Sequence, residues 1–162
     1  MRENPGKLRA RGNDLIARGE RLRQRAAEIE ASERAAKEGE LRIAAAKIPV
    51  DRSAQQLTDG APVPEDRSHT KLRPDGQQEG YVVLSADERG KGFVRPYRDA
   101  YRHQTCGKIT TMGRALAETY ARDPSFYSGT FCATCRGHFP VGEDGEFTWY
   151  EMDGREGPKV GT

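Results

Sequence analysis

The first fifty residues follow a heptad pattern of apolar and polar positions. Apolar residues recur at every seventh position, at Leu8, Leu15, Leu22, Ile29, Ala36 and Ile43. The segment between them is rich in Ala, Arg, Glu and Leu, which favour helix. The pattern predicts one long helix over residues 5–48, with Asn4 as N-cap, Pro5 at the first helical position and Pro49 ending it.

A second row of heptad positions along this helix holds small residues first and charged residues after them. Four residues after the first three apolar positions stand Gly12, Gly19 and Ala26, and the next two such positions are Glu33 and Glu40. This is half of a coiled-coil pattern. A glycine inside a helix costs roughly 1 kcal/mol, so the isolated helix is marginal. Two interpretations stay open: a solvated single helix with a narrow apolar stripe, or a helix ordered by a partner, which includes a second copy of itself.

Residues 50–80 have the composition of a linker. Their prolines and glycines are Pro62, Pro64, Pro74, Gly60, Gly76 and Gly80. No periodic apolar pattern runs through them, so we expect extended, irregular backbone.

Residues 81–162 contain the large apolar side chains that a folded core requires. All twelve aromatic residues lie between Tyr81 and Tyr150, and all three cysteines lie in the same half. Because a core needs large apolar side chains, we predict three parts: a helical arm over 1–49, a linker over 50–80 and a folded domain over 81–162.

Short strands and one helix are predicted within this domain. Extended segments are expected at 81–84, 93–101, 126–131, 139–141, 147–152 and 159–160. A polar turn follows the first of them through Gly92. A short helix, capped by Thr110 or Thr111, runs through Tyr120 and ends before Pro124. The predicted class is α+β, with a small β-rich domain of the zinc-ribbon type behind a long helix and a linker.

Composition narrows the class of protein. The chain has 162 residues, of which 35% are hydrophobic and 32% charged, with a mean hydropathy of −0.88 and a net charge of +2. No run approaches about 18 apolar residues, and the N-terminus has no apolar signal region. We therefore expect neither a transmembrane nor a secreted protein. Three cysteines without a secretory route favour a metal site or free thiols over a disulfide framework.

Two short motifs carry ligands of the kind that zinc prefers. His103-Gln-Thr-Cys106 is followed by Gly107, and Cys132-Ala-Thr-Cys135 is followed at one residue's distance by Gly137. In each motif a tight turn can direct two side chains to one ion, and the glycine lets backbone N–H groups approach a thiolate. Two such knuckles give a closed Cys3His site for a structural Zn2+.

His138 is an alternative fourth ligand. It follows Cys135 by three residues, so the spacing alone does not choose between His138 and His103. Either histidine can serve as the ligand while the other hydrogen-bonds to a thiolate. A catalytic zinc is disfavoured because catalytic sites keep an open position, which four protein ligands would close.

Two basic regions are candidate contacts for nucleic acid or for an acidic protein. The first 25 residues hold eight basic and three acidic side chains, and Arg9, Arg11 and Arg18 are the candidates there. In the second region Arg95, Arg98 and Arg102 alternate with aromatic residues. The alternative for the first region is a solvated charged face, and the alternative for the second is a strand with its aromatic residues inward and its arginines outward.

No catalytic motif stands out, and we expect a protein that is not an enzyme. Gly90-Lys91-Gly92 lacks the spacing of a phosphate-binding loop, and His69 is expected to be exposed in the linker.

Residues 80–162 resemble small, mostly uncharacterised zinc-ribbon-like proteins encoded by tailed bacteriophages. The resemblance rests on Phe93-Val-Arg-Pro96, Cys106-Gly107, Thr110-Thr-Met112, Ala117-Glu-Thr-Tyr-Ala-Arg-Asp-Pro124, Phe126-Tyr127, Thr130-Phe-Cys132, Cys135 and His138-Phe-Pro-Val141. It implies a phage context and a metal-binding module. It implies no reaction and no ligands beyond the cysteines, and it does not cover the N-terminal helix.

Three functions are consistent with these expectations. The first is a virion-associated phage component, located in the virion or the bacterial host cytoplasm, whose arm binds other phage structural proteins or itself. The second is a zinc-ribbon regulator that binds nucleic acid. The third is a factor that binds one host protein through the half-heptad helix.

Overall fold

The computed structural model describes residues 5–151 and 153–162 and has α+β architecture, which confirms the predicted class. The helices are α1 (Pro5–Ala46), α2 (Ala86–Gly90) and α3 (Arg114–Arg122), with a 3-10 helix at Ser68–Thr70. The strands are β1 (Gln55–Leu57), β2 (Val82–Leu84), β3 (Ala100–His103), β4 (Ile109–Thr111), β5 (Gly129–Cys132), β6 (Gly137–Pro140), β7 (Phe147–Tyr150) and β8 (Glu156–Lys159). The predicted cap Asn4 and the predicted strand end Met152 lie outside the described residues.

The chain divides into two compact units, residues 1–40 and 41–162. The described part of the first unit consists of α1 from Pro5 onward, as the heptad pattern predicts. Its large apolar side chains are open to solvent, since Leu15 is 67% exposed, Leu22 61% and Ile29 53%. Within the described residues, no helix is long and apolar enough to cross a bilayer.

The strands of the second unit form three antiparallel sheets. The largest has the order β4-β3-β7-β8, and the other two are the pairs β1-β2 and β5-β6. A cluster of buried side chains lies among these strands and α3, formed by Tyr101, Tyr120, Cys132, Phe147, Trp149 and Val160. The Tyr101 hydroxyl donates to the backbone oxygen of Phe131 at 2.7 Å, which links β3 of the largest sheet to β5 of the small one.

The structure corrects the predicted linker. Residues 50–80 belong to the second unit, and β1 pairs in register with β2, Gln55 opposite Leu84 and Leu57 opposite Val82. The Arg52 guanidinium donates to both carboxylate oxygens of Asp123, at 2.6 and 2.8 Å. Pairing between distant segments, which local composition does not record, orders this part of the chain.

Other element boundaries also differ from the prediction. Of the expected strand 93–101, only residues 100 and 101 lie in a sheet, as the start of β3. The N–H groups of Val94 and Arg95 donate instead to the oxygen of Ala121 at the end of α3. Thr110 and Thr111 lie in β4 rather than capping α3, which begins after Gly113. The predicted polar turn contains α2, whose first turn is capped by the Ser85 hydroxyl.

A buried ion pair joins α2 to α3. Glu88 and Arg122 are 1% and 0% exposed, and Arg122 Nη2 lies 3.0 Å from Glu88 Oε1. The same guanidinium donates to the backbone oxygens of Ala45 and Ile48 at 3.0 Å, so it fixes the end of α1 and the chain that follows it. Hydrogen bonds from Lys91 and then Arg122 hold the pKa of Glu88 below its usual range against the opposing effect of burial.

Glu88→Gln is expected to destabilise the second unit. The substitution leaves the Arg122 charge buried without its anionic partner, which costs about 3 kcal/mol near neutral pH. Because the folded pKa of Glu88 is lowered, its contribution is complete above the ordinary value of 4.5 and disappears as pH falls through the folded pKa. Denaturant unfolding at several pH values should therefore show the two proteins converging in acid. Glu65→Gln, at an exposed position, is the control and should match the parent protein throughout; a constant difference at all pH values would contradict the account.

Candidate metal centre

Two β-hairpins bring the four predicted ligands together. β3 ends at His103, and the turn to β4 carries Cys106; β5 ends at Cys132, and the turn to β6 carries Cys135. The ligand atoms of all four residues lie within 4.8 Å of one another. The group can hold a metal ion, and among the described residues no other cluster of three or more His, Cys, Asp or Glu side chains does so.

The spacing of these atoms fits a tetrahedral site. The Sγ atoms of Cys106 and Cys132 are 3.7 Å apart, and Sγ of Cys135 lies 3.4 Å from Nδ1 of His103. Zinc–ligand bond lengths of about 2.3 Å to sulfur and about 2.0 Å to nitrogen place two tetrahedral sulfurs about 3.8 Å apart, and a sulfur and a nitrogen about 3.5 Å apart. All three cysteines are free thiols, and the 3.7 Å separation is far longer than the ~2 Å of a disulfide.

Backbone N–H groups also form hydrogen bonds within the two hairpin turns. The N–H of Cys135 points at Sγ of Cys132 at 3.5 Å. In the first turn Gly107 has φ +68°, a left-handed conformation suited to glycine, and its N–H donates to the oxygen of His103. The second turn differs from the expectation, because Arg136 and not Gly137 adopts the positive φ, at 53°.

The thiols of Cys106 and Cys135 have pKa values shifted in opposite directions. The backbone hydrogen bond from Lys108 is the largest influence on Cys106 and, with its neighbours, lowers the pKa of that thiol to about 7. Desolvation, followed by hydrogen bonding with the other two thiols, raises the pKa of Cys135 to about 12. Cys135 is exposed as a residue, but its Sγ atom faces the other ligands. Three thiols this close cannot all ionise without a cation between them.

His103 is held in the orientation that a metal ligand requires. It is 1% exposed, and its ring packs against both Phe139 and Phe147, with centroid distances of 4.5 and 4.7 Å. Its Nε2–H donates to Oε2 of Glu146 at 2.9 Å, which leaves the Nδ1 lone pair facing Cys135. Hydrogen bonds from His103 and then Thr105 lower the pKa of Glu146, so the carboxylate is the acceptor. Carboxylates commonly orient metal-bound imidazoles in this way.

The structure places His138 outside this group. His138 lies in β6 opposite Phe131, and a 3.0 Å hydrogen bond joins its Nε2 to the hydroxyl of Tyr81. Side chains alternate across a strand, so Phe139 faces His103 while His138 faces the other side. Of the two candidates for the fourth ligand, the structure thus brings His103 to the cysteines.

His69 is a buried residue that the sequence interpretation placed in solvent. It is 9% exposed and, with His138, Tyr81 and Arg52, lines a cavity of about 620 Å³. Its Nδ1 has no hydrogen-bond partner among the residues described. The expectation failed because it depended on the linker, and no local signal near His69 indicates burial.

The candidate arginines fall into two groups. Arg98 forms an ion pair with Glu151 at 2.7 Å, Arg102 lies over the ring of Tyr150 at 5.5 Å, and Arg95 donates to the backbone oxygen of Thr162. These three side chains therefore contact their own unit. Arg9, Arg11 and Arg18 are exposed on α1.

No family model matches the chain, and searches of curated proteins and of solved structures found no significant similarity.

Cys135→Ser is expected to weaken metal binding at least about 100-fold, beyond the effect of losing an outer-shell partner, because it removes a direct ligand. His138→Ala is the matched control, since it truncates a nearby side chain that hydrogen-bonds to Tyr81. Competition with a chromophoric zinc chelator measures both variants. Equal losses in the two, or a loss confined to His138→Ala, would contradict the assignment of His103.

Proposed function

We propose that this chain is a non-enzymatic binding protein whose second unit is held together by a structural Zn2+ and whose helix α1 binds a partner. The observation that carries the zinc assignment is the spacing of three sulfurs and one imidazole nitrogen within 4.8 Å. Thiolates and imidazole are the ligands of structural zinc sites. His103, Cys106, Cys132 and Cys135 would hold the ion.

The ligand set supports a structural rather than a catalytic role for the metal. Four protein ligands complete a tetrahedral shell, whereas catalytic zinc usually keeps a position for water or substrate. Two ligands come from the hairpin of one sheet and two from the hairpin of another, so the ion would bridge separate parts of the fold. Cys132 and Cys106 also contact the buried aromatic cluster, which places the bridge against the core.

The exposed stripe of α1 supports the binding role of the arm. Leu15, Leu22 and Ile29 recur every seven residues, and each is more than half exposed. A seam of large apolar side chains in solvent is the surface on which helices associate.

The resemblance of residues 80–162 to phage-encoded zinc-ribbon-like proteins favours a virion-associated role, in the virion or in the bacterial host cytoplasm. We place protein binding ahead of nucleic-acid binding because Arg95, Arg98 and Arg102 contact their own unit. The exposed Arg9, Arg11 and Arg18 are the remaining support for a nucleic-acid-binding regulator.

Native mass spectrometry of the purified chain, with and without chelator, tests the zinc proposal. We expect one zinc ion per chain. Its removal should increase hydrogen exchange across β3 to β8, because binding of structural zinc contributes on the order of 10 kcal/mol to folding. Helix α1 upstream of residue 41 is the internal control and should exchange equally in both states. A metal-free protein with unchanged protection would overturn the proposal.

A further inference from the structure

Among the described residues, nothing lies close enough to require glycine at Gly12, Gly19 or Gly39 of α1, and the first two share one face of the helix. Gly12 and Gly19 lie in a helix without positive φ, and a Cβ built at either would meet nothing within 4 Å. Alanine would fit at both positions and would favour the helix. Glycine is, however, suited to a position where another backbone approaches closely. The two glycines therefore point to a neighbouring element on this face.

The same face has a self-complementary arrangement of large and small side chains. Leu15, Leu22 and Ile29 occupy one heptad position, and Gly12, Gly19 and Ala26 occupy the facing one. In an antiparallel pair of coiled helices these two positions meet across the interface. One register sets Leu15 opposite Ala26, Leu22 opposite Gly19 and Ile29 opposite Gly12 of a second copy. Each of these three large side chains then packs over a small one, and two-fold symmetry repeats each contact.

Charge along α1 selects the antiparallel direction. Residues 7–11 hold three basic and no acidic side chains, whereas residues 28–33 hold three acidic and no basic ones. Parallel, in-register pairing would instead set the seam residues Glu33 and Glu40 each against its own copy, although Glu30 would then lie near Arg25. Antiparallel pairing in the register above places the basic segment against the acidic segment, with Arg9 beside Glu30 of the second copy. The same register brings Arg18 close to Arg25 of the second copy. Because both side chains are exposed, the free-energy cost of this repulsion is as small as the gain from a surface ion pair.

We propose that α1 pairs with α1 of a second copy of this chain in an antiparallel coiled coil centred between Glu20 and Arg21. The proposal rests on the binding role given to α1 above and names its partner. Its support is the exposed apolar seam, the glycines that face it, and the complementary charge of residues 7–11 and 28–33.

Sedimentation equilibrium of the full, zinc-loaded chain tests the pairing. We expect a dimer, and Leu22→Asp should raise its dissociation constant by more than about tenfold because it places a charge in the seam. Ala31→Asp makes a comparable change nine residues away, on the opposite face of the helix, and should leave the constant within about twofold. A parent protein that stays monomeric, or an equal effect of the two variants, would overturn the proposal.

A charge exchange tests the direction. Glu30→Lys alone should weaken the dimer, since it sets a lysine beside Arg9 of the second copy. Adding Arg9→Glu should restore it, because the pair is then re-formed with opposite signs. In a parallel dimer Glu30 would instead lie near Arg25, and Arg9→Glu would restore nothing; that outcome would overturn the antiparallel register.

Zinc content measured on the same samples separates this inference from the zinc assignment. A monomer that carries one zinc ion per chain contradicts the pairing and leaves the metal site standing. A dimer that binds no zinc contradicts the metal site and supports the pairing.

Discussion

The second unit depends on the meeting of two hairpin turns that belong to different sheets. One turn joins β3 and β4 of the four-stranded sheet, and the other joins β5 and β6 of a two-stranded sheet. Their tips place an imidazole and three thiols within 4.8 Å. Without a cation this concentration of ionisable sulfur is unfavourable, and a bound ion converts it into a cross-link. The proposed zinc would thus join the four-stranded sheet and the β5-β6 pair in one unit.

The surroundings of the ligands support this function of the site. Phe139 from β6 and Phe147 from β7 both pack against the ring of His103, so the ligand position is built from both sheets. Glu146, immediately before β7, accepts from the imidazole and thereby fixes which nitrogen faces the sulfurs. The Tyr101–Phe131 hydrogen bond provides a second connection between the same sheets. Phe147 therefore takes part both in positioning the ligand His103 and in the buried aromatic cluster.

The sequence predicts those features that depend on local spacing. The helix α1 follows from its heptads and from Pro5, and the two ligand pairs follow from two short motifs with turn residues. The choice of His103 over His138 depends on strand register, because alternation along β6 directs Phe139 to the cluster and His138 away from it. That register is set by the partner strand β5, which is not visible in the spacing of either histidine.

Residues 50–80 show the limit of composition as a guide. Their prolines and glycines are typical of a linker, yet β1 is ordered by pairing with β2, and Arg52 is held by Asp123, 71 positions along the chain. His69 is buried for the same reason. Such contacts depend on the folded position of distant residues, so no local pattern predicts them. The buried pair of Glu88 and Arg122 is likewise a tertiary feature. Each residue belongs to a short segment whose composition is typical of a surface helix, so neither segment alone indicates burial.

The most direct test of the central claim is X-ray absorption at the zinc edge of the purified, zinc-loaded protein. The account predicts a shell of three sulfurs at about 2.3 Å and one nitrogen at about 2.0 Å, with the outer-shell scattering of a single imidazole. A shell with fewer than three sulfurs, with two imidazoles, or with a bound water in place of His103 would contradict it.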